Sequence, residues 1–335
     1  IPEGEEDGGP ALSAQCRRRA VTRMDKIVGA VALNPCVDKT VFVDRLIPYG
    51  LNRVTRMRLD PGGKGLNVAR ILTNFGVKTA LSGFVASRQS EYLLSWLSGS
   101  GMEYDLHSID GDTRVNLKVV DESAGRTTEI NEPGFSIPPG ELSAYEDRLA
   151  CLLKRLDTVV LSGRLPPGVP EDFYARCIRT AKARGVRAVL DADAGALKAG
   201  VHAVPYAVKP NLHELESLYG HSFGGVGDVA SAARQLVGAG IELVMVSMGE
   251  DGAVVADRRD MYKADTWPVC VKSTVGAGDS MVGALVYGLK NGMDTADIAR
   301  LATAAGTIAV SREGTEFCTL DEARAAMDKV RLTRL

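Results

Sequence analysis

From about residue 25 onward the chain alternates two kinds of segment. Short apolar runs, IVGAVAL (27–33), TVVLS (158–162), RAVLD (187–191), YAVK (206–209) and LVMVS (243–247), read as strands buried on both faces. Between them lie amphipathic stretches such as PEDFYARCIRTAKARG (170–185) and DVASAARQLVGAG (228–240). This alternation predicts an α/β fold with a mostly parallel sheet covered by helices. Two regions depart from it. KTVFVDRL (39–46) and NRVTRMRLD (52–60) alternate with period two across a turn-like IPYGL, and TRVNLKVVD (113–121) pairs with RTTEIN (126–131) as a hairpin. No helix separates these strands, so they are expected to form a small antiparallel sheet, a lid within 36–60 and 112–132, projecting beside a cleft.

Open parallel sheets bind ligands beyond the carboxyl ends of their strands. Polar residues stand at such ends here: Asn34 and Asp38, Ser162 and Gly163, Asp191, Lys209 and Asn211, Ser247 and Gly249. Any one of them reads equally well as a cap or turn former.

Four motifs carry candidate chemistry. In STVGAGDSMVGALVYGL (273–289), Gly276, Ala277 and Gly278 precede Asp279 and a long apolar helix. Free amides at that helix start attract an anion. The carboxylate is either a cap or a base taking a proton from a hydroxyl while the amides hold developing charge. In DPGGKGLNVARIL (60–72) a glycine loop brings Lys64 to a helix N-terminus, where a bound anion offsets the dipole and Asn67 reaches the same ligand; the alternative is a turn with a solvated lysine. In VKPNLHELE (208–216), Asn211 and Glu214 share a helix face, suited to ordering water around Mg²⁺ or to a capping box without ligand. In DTRVNLKV (112–119), Arg114 and Asn116 project from one strand face, and the arginine suits a phosphate unless it is a solvated charge. Neither a GxGxxG nor a GxxxxGK[ST] motif occurs, which sets aside a dinucleotide-dependent dehydrogenase and a P-loop.

Composition adds limits. Across 335 residues, 45% are apolar and the formal net charge is −2, which gives no electrostatic reason to expect nucleic acid or a membrane surface. The six cysteines form no CxxC pair, consistent with a reducing cytoplasm. Residues 1–23 are polar and aperiodic, and read as a disordered extension or a misassigned start ahead of one catalytic domain over 24–335.

Taken together, LNPCVDKT, DPGGKGLNVAR, TRVNLKV, INEPG, LSGRLPPGVPEDFY, VKPNLHELE, VSMGEDGA and STVGAGDSMVGALVYGL resemble, in order, the motifs of the ribokinase-like PfkB carbohydrate kinases. The resemblance implies a Rossmann-like core with a β-sheet lid, ATP and Mg²⁺, and γ-phosphoryl transfer to a sugar hydroxyl. Carried over by position, Asp279 is the catalytic base and Gly276, Ala277 and Gly278 the anion hole. Asp38, Gly63, Lys64, Asn67, Arg114 and Asn116 contact the phosphosugar. Lys209, Asn211, Ser247, Gly249, Gly252, Ser273 and Thr274 serve ATP, and Glu214 serves Mg²⁺ through water. Within the family the motifs look most like the branch that phosphorylates fructose 1-phosphate at C6; tagatose 6-phosphate and fructose 6-phosphate are the alternative acceptors, and a sugar sensor on a kinase scaffold is the non-enzymatic one. Arg164 and Asp193 depart from the family's usual small or hydroxyl residues; the arginine either adds a cationic grip or narrows the pocket. Pairing of two lids would give a homodimer.

Overall fold

The computed structural model describes residues 27–335, so the reading of residues 1–23 lies outside the described residues. Fourteen strands form two sheets: β1 (Ile27–Ala32), β2 (Cys36–Val43), β3 (Arg56–Gly62), β4 (Thr79–Arg88), β5 (Glu103–Asp112), β6 (Arg114–Asp121), β7 (Arg126–Asn131), β8 (Leu156–Ser162), β9 (Arg187–Asp191), β10 (Ala207–Val208), β11 (Leu243–Ser247), β12 (Ala253–Ala256), β13 (Met261–Asp265) and β14 (Arg331–Arg334). Ten helices of four residues or more join them: α1 (Lys64–Asn74), α2 (Glu91–Gly99), α3 (Pro139–Leu152), α4 (Phe173–Ala183), α5 (Ala194–His202), α6 (Leu212–Tyr219), α7 (Val226–Gly238), α8 (Ala277–Asn291), α9 (Thr295–Val310) and α10 (Leu320–Ala325).

The large sheet runs β14-β13-β12-β11-β10-β9-β8-β1-β4-β5. From β11 to β5 every pairing is parallel, and β12, β13 and β14 extend it as an antiparallel edge. The five core strands expected from apolar runs are present. β4 and β5 were not expected: TALSGFVASR lacks the β-branched run that marked the others, and β5 is largely polar and partly exposed. Phe84, Tyr145 and Phe173 lead the core on one face of the sheet, while Ile71, Val282 and Leu285 lead it on the other. The packing of α1 on α8 leaves no spare room, since a Cβ on Gly283 would lie 2.5 Å from Ile71 Cγ2.

The lid is a second sheet, ordered β3-β2-β6-β7. It is antiparallel in two of its three pairings and parallel at its centre, between β2 and β6. A parallel pair needs a long crossover, and here the intervening chain passes through the core as α1, β4, α2 and β5. The period-two alternation predicted from sequence gives the lid two unlike faces. The row Asp60, Asp38, Asn116 and Asn131 is polar, and the adjacent register row on the opposite face is Leu59, Lys39, Leu117 and Ile130.

Candidate active site

A cleft of about 1210 Å³ lies between the lid and the carboxyl ends of the parallel strands. Its centre is the start of α8. Gly276, at φ 79° in the left-handed region, lets the chain enter the helix sharply, and Ser280 donates the first helical bond back to the Gly276 carbonyl at 2.8 Å. The amides of Ala277, Gly278 and Asp279 therefore have no partner within the helix. Asp279 is 6% exposed, and its carboxylate accepts from Asn67 Nδ2 at 2.8 Å. Burial foremost, with the charge of Asp191, raises its carboxyl from 3.8 to about 6, against the opposing pull of Lys64, the Asn67 bond and Lys209. A carboxyl tuned toward neutrality beside free amides has the attributes of a general base rather than a cap.

Two ammonium groups flank it through one shared carboxylate. Asp191, at the end of β9 and 1% exposed, has Lys209 Nζ at 3.3 Å and Lys64 Nζ at 3.5 Å, and accepts from Ser162 Oγ at 3.0 Å. Burial alone would raise the Asp191 carboxyl, but the Lys209 and Lys64 charges and the Ser162 hydroxyl outweigh it and hold it low. Asp191 in turn pushes the Lys64 ammonium up against the cost of burial. Lys209 Nζ also lies 3.4 Å from where a Cβ on Gly278 would be, so a side chain there would crowd the ammonium against the helix start.

Toward the lid, β2 and β6 supply the polar row. Asp38 accepts from Asn116 Nδ2 at 3.0 Å and pairs with Lys118 Nζ at 3.1 Å. Arg114 donates to Asn116 Oδ1 at 2.9 Å and, through Nη2 and Nε, to the Asn34 carbonyl at 2.9 and 3.1 Å. Asn67 Oδ1 has no partner among the described residues.

On the other side of α8 the wall turns apolar, with Trp267, Pro268, Val269 and Val271 opposite Thr303, Gly306, Thr307 and Val310 of α9. Ser247, Gly249 and Gly252 lie along this half. Gly252, at φ 78°, is required by its neighbours, because a Cβ would fall 2.0 Å from the Ala264 carbonyl oxygen.

The cleft thus brings together Asp38, Gly63, Lys64, Asn67, Arg114, Asn116, Lys209, Asn211, Ser247, Gly249, Gly252, Thr274 and the 276–279 segment. Two expected residues stand behind its wall. The Ser273 hydroxyl accepts from the Val275 amide at 3.2 Å. Glu214 and Asn211 form a reciprocal capping box, Glu214 Oε2 receiving the Asn211 amide at 2.8 Å, while Glu214 Oε1 faces Lys64 Nζ at 3.7 Å. The two departures from the family pattern meet each other: Arg164, 78% exposed at its side chain, lies 3.7 Å from Asp193 and takes no part in the cleft wall. Lys118, Asp191 as the shared carboxylate and the whole apolar wall were missed. Lys118 was findable, two residues past Asn116 on the same strand face; the apolar wall carries no signal that separates it from ordinary core.

Residues 31–323 match the pfkB family carbohydrate kinase profile. Among curated proteins, the chain is 40% identical to a 1-phosphofructokinase of Xanthomonas campestris over 82% of this chain and 88% of the relative. It is 35% identical to a 1-phosphofructokinase of Haemophilus influenzae over 92% and 98% respectively. Among solved structures, phosphofructokinase-2 from Escherichia coli in complex with substrates and products superposes with a TM-score of 0.85 at 30% identity, covering 91% of this chain and 99% of that one. With fold, cleft and helix-start carboxylate in agreement with that match, the chain belongs to the pfkB family of carbohydrate kinases.

Proposed function

We propose that this chain transfers the γ-phosphoryl group of ATP to the C6 hydroxyl of fructose 1-phosphate, giving fructose 1,6-bisphosphate and ADP. One observation carries the reading: the buried Asp279 carboxylate sits among the free amides of 277–279, between a charged, lid-covered half of the cleft and an apolar half. The charged half suits a phosphosugar and the apolar half a nucleobase. In this reading the sugar hydroxyl lies against Asp279, which takes its proton as attack begins. The Ala277 and Gly278 amides and the Lys209 ammonium face the charge on the moving group. Asp38, oriented by Asn116 and Lys118, and Asn67 hold sugar hydroxyls. Arg114 and Lys64 hold the phosphate already on the sugar. Lid closure excludes water from the transfer.

Of the carboxylates present, Glu214 is the one that would hold Mg²⁺, through water: its Oε1 faces Lys64 Nζ at 3.7 Å, whereas Asp191 Oδ1 is already flanked by Lys209 Nζ at 3.3 Å and Lys64 Nζ at 3.5 Å. One such carboxylate with several waters matches the preference of that ion, which would supply charge neutralisation at the nucleotide phosphates.

The curated relatives named 1-phosphofructokinase favour fructose 1-phosphate. The test is kcat/KM with ATP for fructose 1-phosphate, fructose 6-phosphate and tagatose 6-phosphate. A preference for either of the last two overturns the acceptor assignment, and absence of ATP-dependent turnover overturns the donor assignment. The lid's outer row, with Leu59 and Ile130 38% and 59% exposed, supports pairing of two lids in a homodimer. An inhibited form of the Escherichia coli phosphofructokinase-2 is tetrameric.

A further inference from the structure

The loop between α9 and α10 runs along the edge strand of the lid. β3 carries Arg56, Arg58 and Asp60 at alternate positions, so these side chains lie on the face that Asp38 shares. Arg56 Nη1 meets Glu313 at 3.1 Å and Arg58 Nη1 meets Glu316 at 3.0 Å, while Arg58 also grips Asp60 through Nε and Nη2 at 2.8 and 2.9 Å. Between the two glutamates, Gly314 at φ 61° brings the backbone so near the strand that a Cβ there would lie 2.6 Å from Asp60 Oδ2. The same loop is held from the core side. Thr315 is 1% exposed, and its carbonyl and hydroxyl accept from Arg70 of α1 at 3.1 and 3.2 Å. Further on, the Phe317 ring packs against Gly276, leaving 2.7 Å between Cε1 and the place a Cβ would take. Residues 313–317 therefore touch the lid edge, α1 and the turn that opens α8.

We propose that this loop is a positioning element for the transfer: the Arg56–Glu313 and Arg58–Glu316 pairs tie the lid edge to it, and Phe317 carries the position of the lid to the amides of 277–279. This rests on the reading of the charged half of the cleft as the acceptor site and of the helix start as the place of the moving phosphoryl group. Neither glutamate belongs to the cleft wall, so their effect runs through Gly276 rather than through a substrate. The lid seats the acceptor and the helix start receives the terminal phosphates of the donor. A link between the two makes each ligand favour the arrangement that the other needs. The pairs suit such a link because their side chains are partly exposed, at 48% and 41% for Arg56 and Glu313 and 28% and 56% for Arg58 and Glu316. Exposed pairs add little to stability, and two together shift an equilibrium by about threefold to tenfold, enough to bias a moving plate without locking it.

The test measures, by isothermal titration of the full chain, how much one ligand tightens the other. The wild type should bind fructose 1-phosphate at least about fivefold more tightly with the unreactive ATP analogue AMP-PNP and Mg²⁺ present than without them. Glu313→Gln/Glu316→Gln should cut that factor to about twofold or less, while the Kd for fructose 1-phosphate alone stays within about threefold of wild type and the Tm barely moves, as befits exposed pairs. Phe317→Leu keeps both pairs, shortens the ring that reaches Gly276, and should lose the factor in the same way. A purely structural role predicts the reverse, a lower Tm with the mutual tightening kept. A wild type whose ligands ignore one another, or tightening that survives in either variant, overturns this inference and leaves the proposed reaction standing. A wild-type chain that fails to bind fructose 1-phosphate or AMP-PNP overturns both.

Discussion

Asn67 donates to Asp279 across 2.8 Å and so joins the first turns of α1 and α8, two helices whose N-termini converge on one point of the cleft. The bond fixes one carboxylate oxygen and leaves the other for a substrate hydroxyl. It also opposes, after the larger pull of Lys64, the rise in the Asp279 carboxyl caused by burial.

Activity should follow a single deprotonation near pH 6. The base must be ionised, and its carboxyl is raised from 3.8 to about 6, so kcat/KM for the phosphosugar should fall tenfold per unit below that value and level off above it. A pH–rate profile with its acid limb near pH 4 would remove Asp279 from the role.

Asp279→Asn should separate catalysis from stability. Turnover should drop by about 10² or more with loss of the base. Because the folded protein holds the Asp279 proton more tightly than the unfolded chain, stability falls as pH rises from 3.8 to about 6 and stays lower above it. The cost is roughly 3 kcal/mol at about 1.4 kcal/mol per unit. The asparagine variant should therefore melt above wild type at pH 7.5, and a melting point unchanged between pH 4.5 and 7.5 in both proteins would contradict this.

Asp191→Asn should do the opposite. It leaves the buried Lys209 and the half-buried Lys64 without their shared counter-charge, a loss of about 3–5 kcal/mol for a broken buried pair. Since the Asp191 charge raises the Asp279 carboxyl, the acid limb of the rate profile should move to lower pH in this variant. Denaturant unfolding reads the first effect and the pH profile the second.

Arg114→Ala and Lys64→Ala should each lower kcat/KM for the phosphosugar by about tenfold to a hundredfold, the worth of a charge-assisted hydrogen bond. Equal losses with unphosphorylated fructose would take the phosphate contact away from both.

Gly276→Ala should cost both stability and rate. Its φ of 79° strains any residue with a side chain, and the added Cβ would lie 2.7 Å from Phe317 Cε1. Strain of about 1–3 kcal/mol at the mouth of α8 tilts the amides away from the transferring group, so kcat should fall at least about tenfold. Wild-type kcat in a well-folded variant would show that the loop tolerates displacement.

The readable parts of this sequence were those where chemistry needs unusual residues. Glycines 62, 63, 65, 276 and 278 and the acid at 279 announce a cleft because the backbone demands them. Asp191 was visible only as a polar strand end, because its role depends on Lys64 and Lys209 arriving from segments about 127 and 18 residues away in sequence, a convergence that local pattern does not carry. β5 was missed because an edge strand with one partner needs no apolar run.

The parallel centre of the lid has a mechanical corollary. β2 leaves β1 after three residues and β6 leaves β5 after one, so the plate stands on two short stalks that rise side by side from separate core strands. Arg114, at the foot of one stalk, grips the Asn34 carbonyl at the foot of the other. An anion that recruits this guanidinium competes with the brace between the stalks, so acceptor loading and the tilt of the plate share a single side chain and cannot be tuned apart by mutating it.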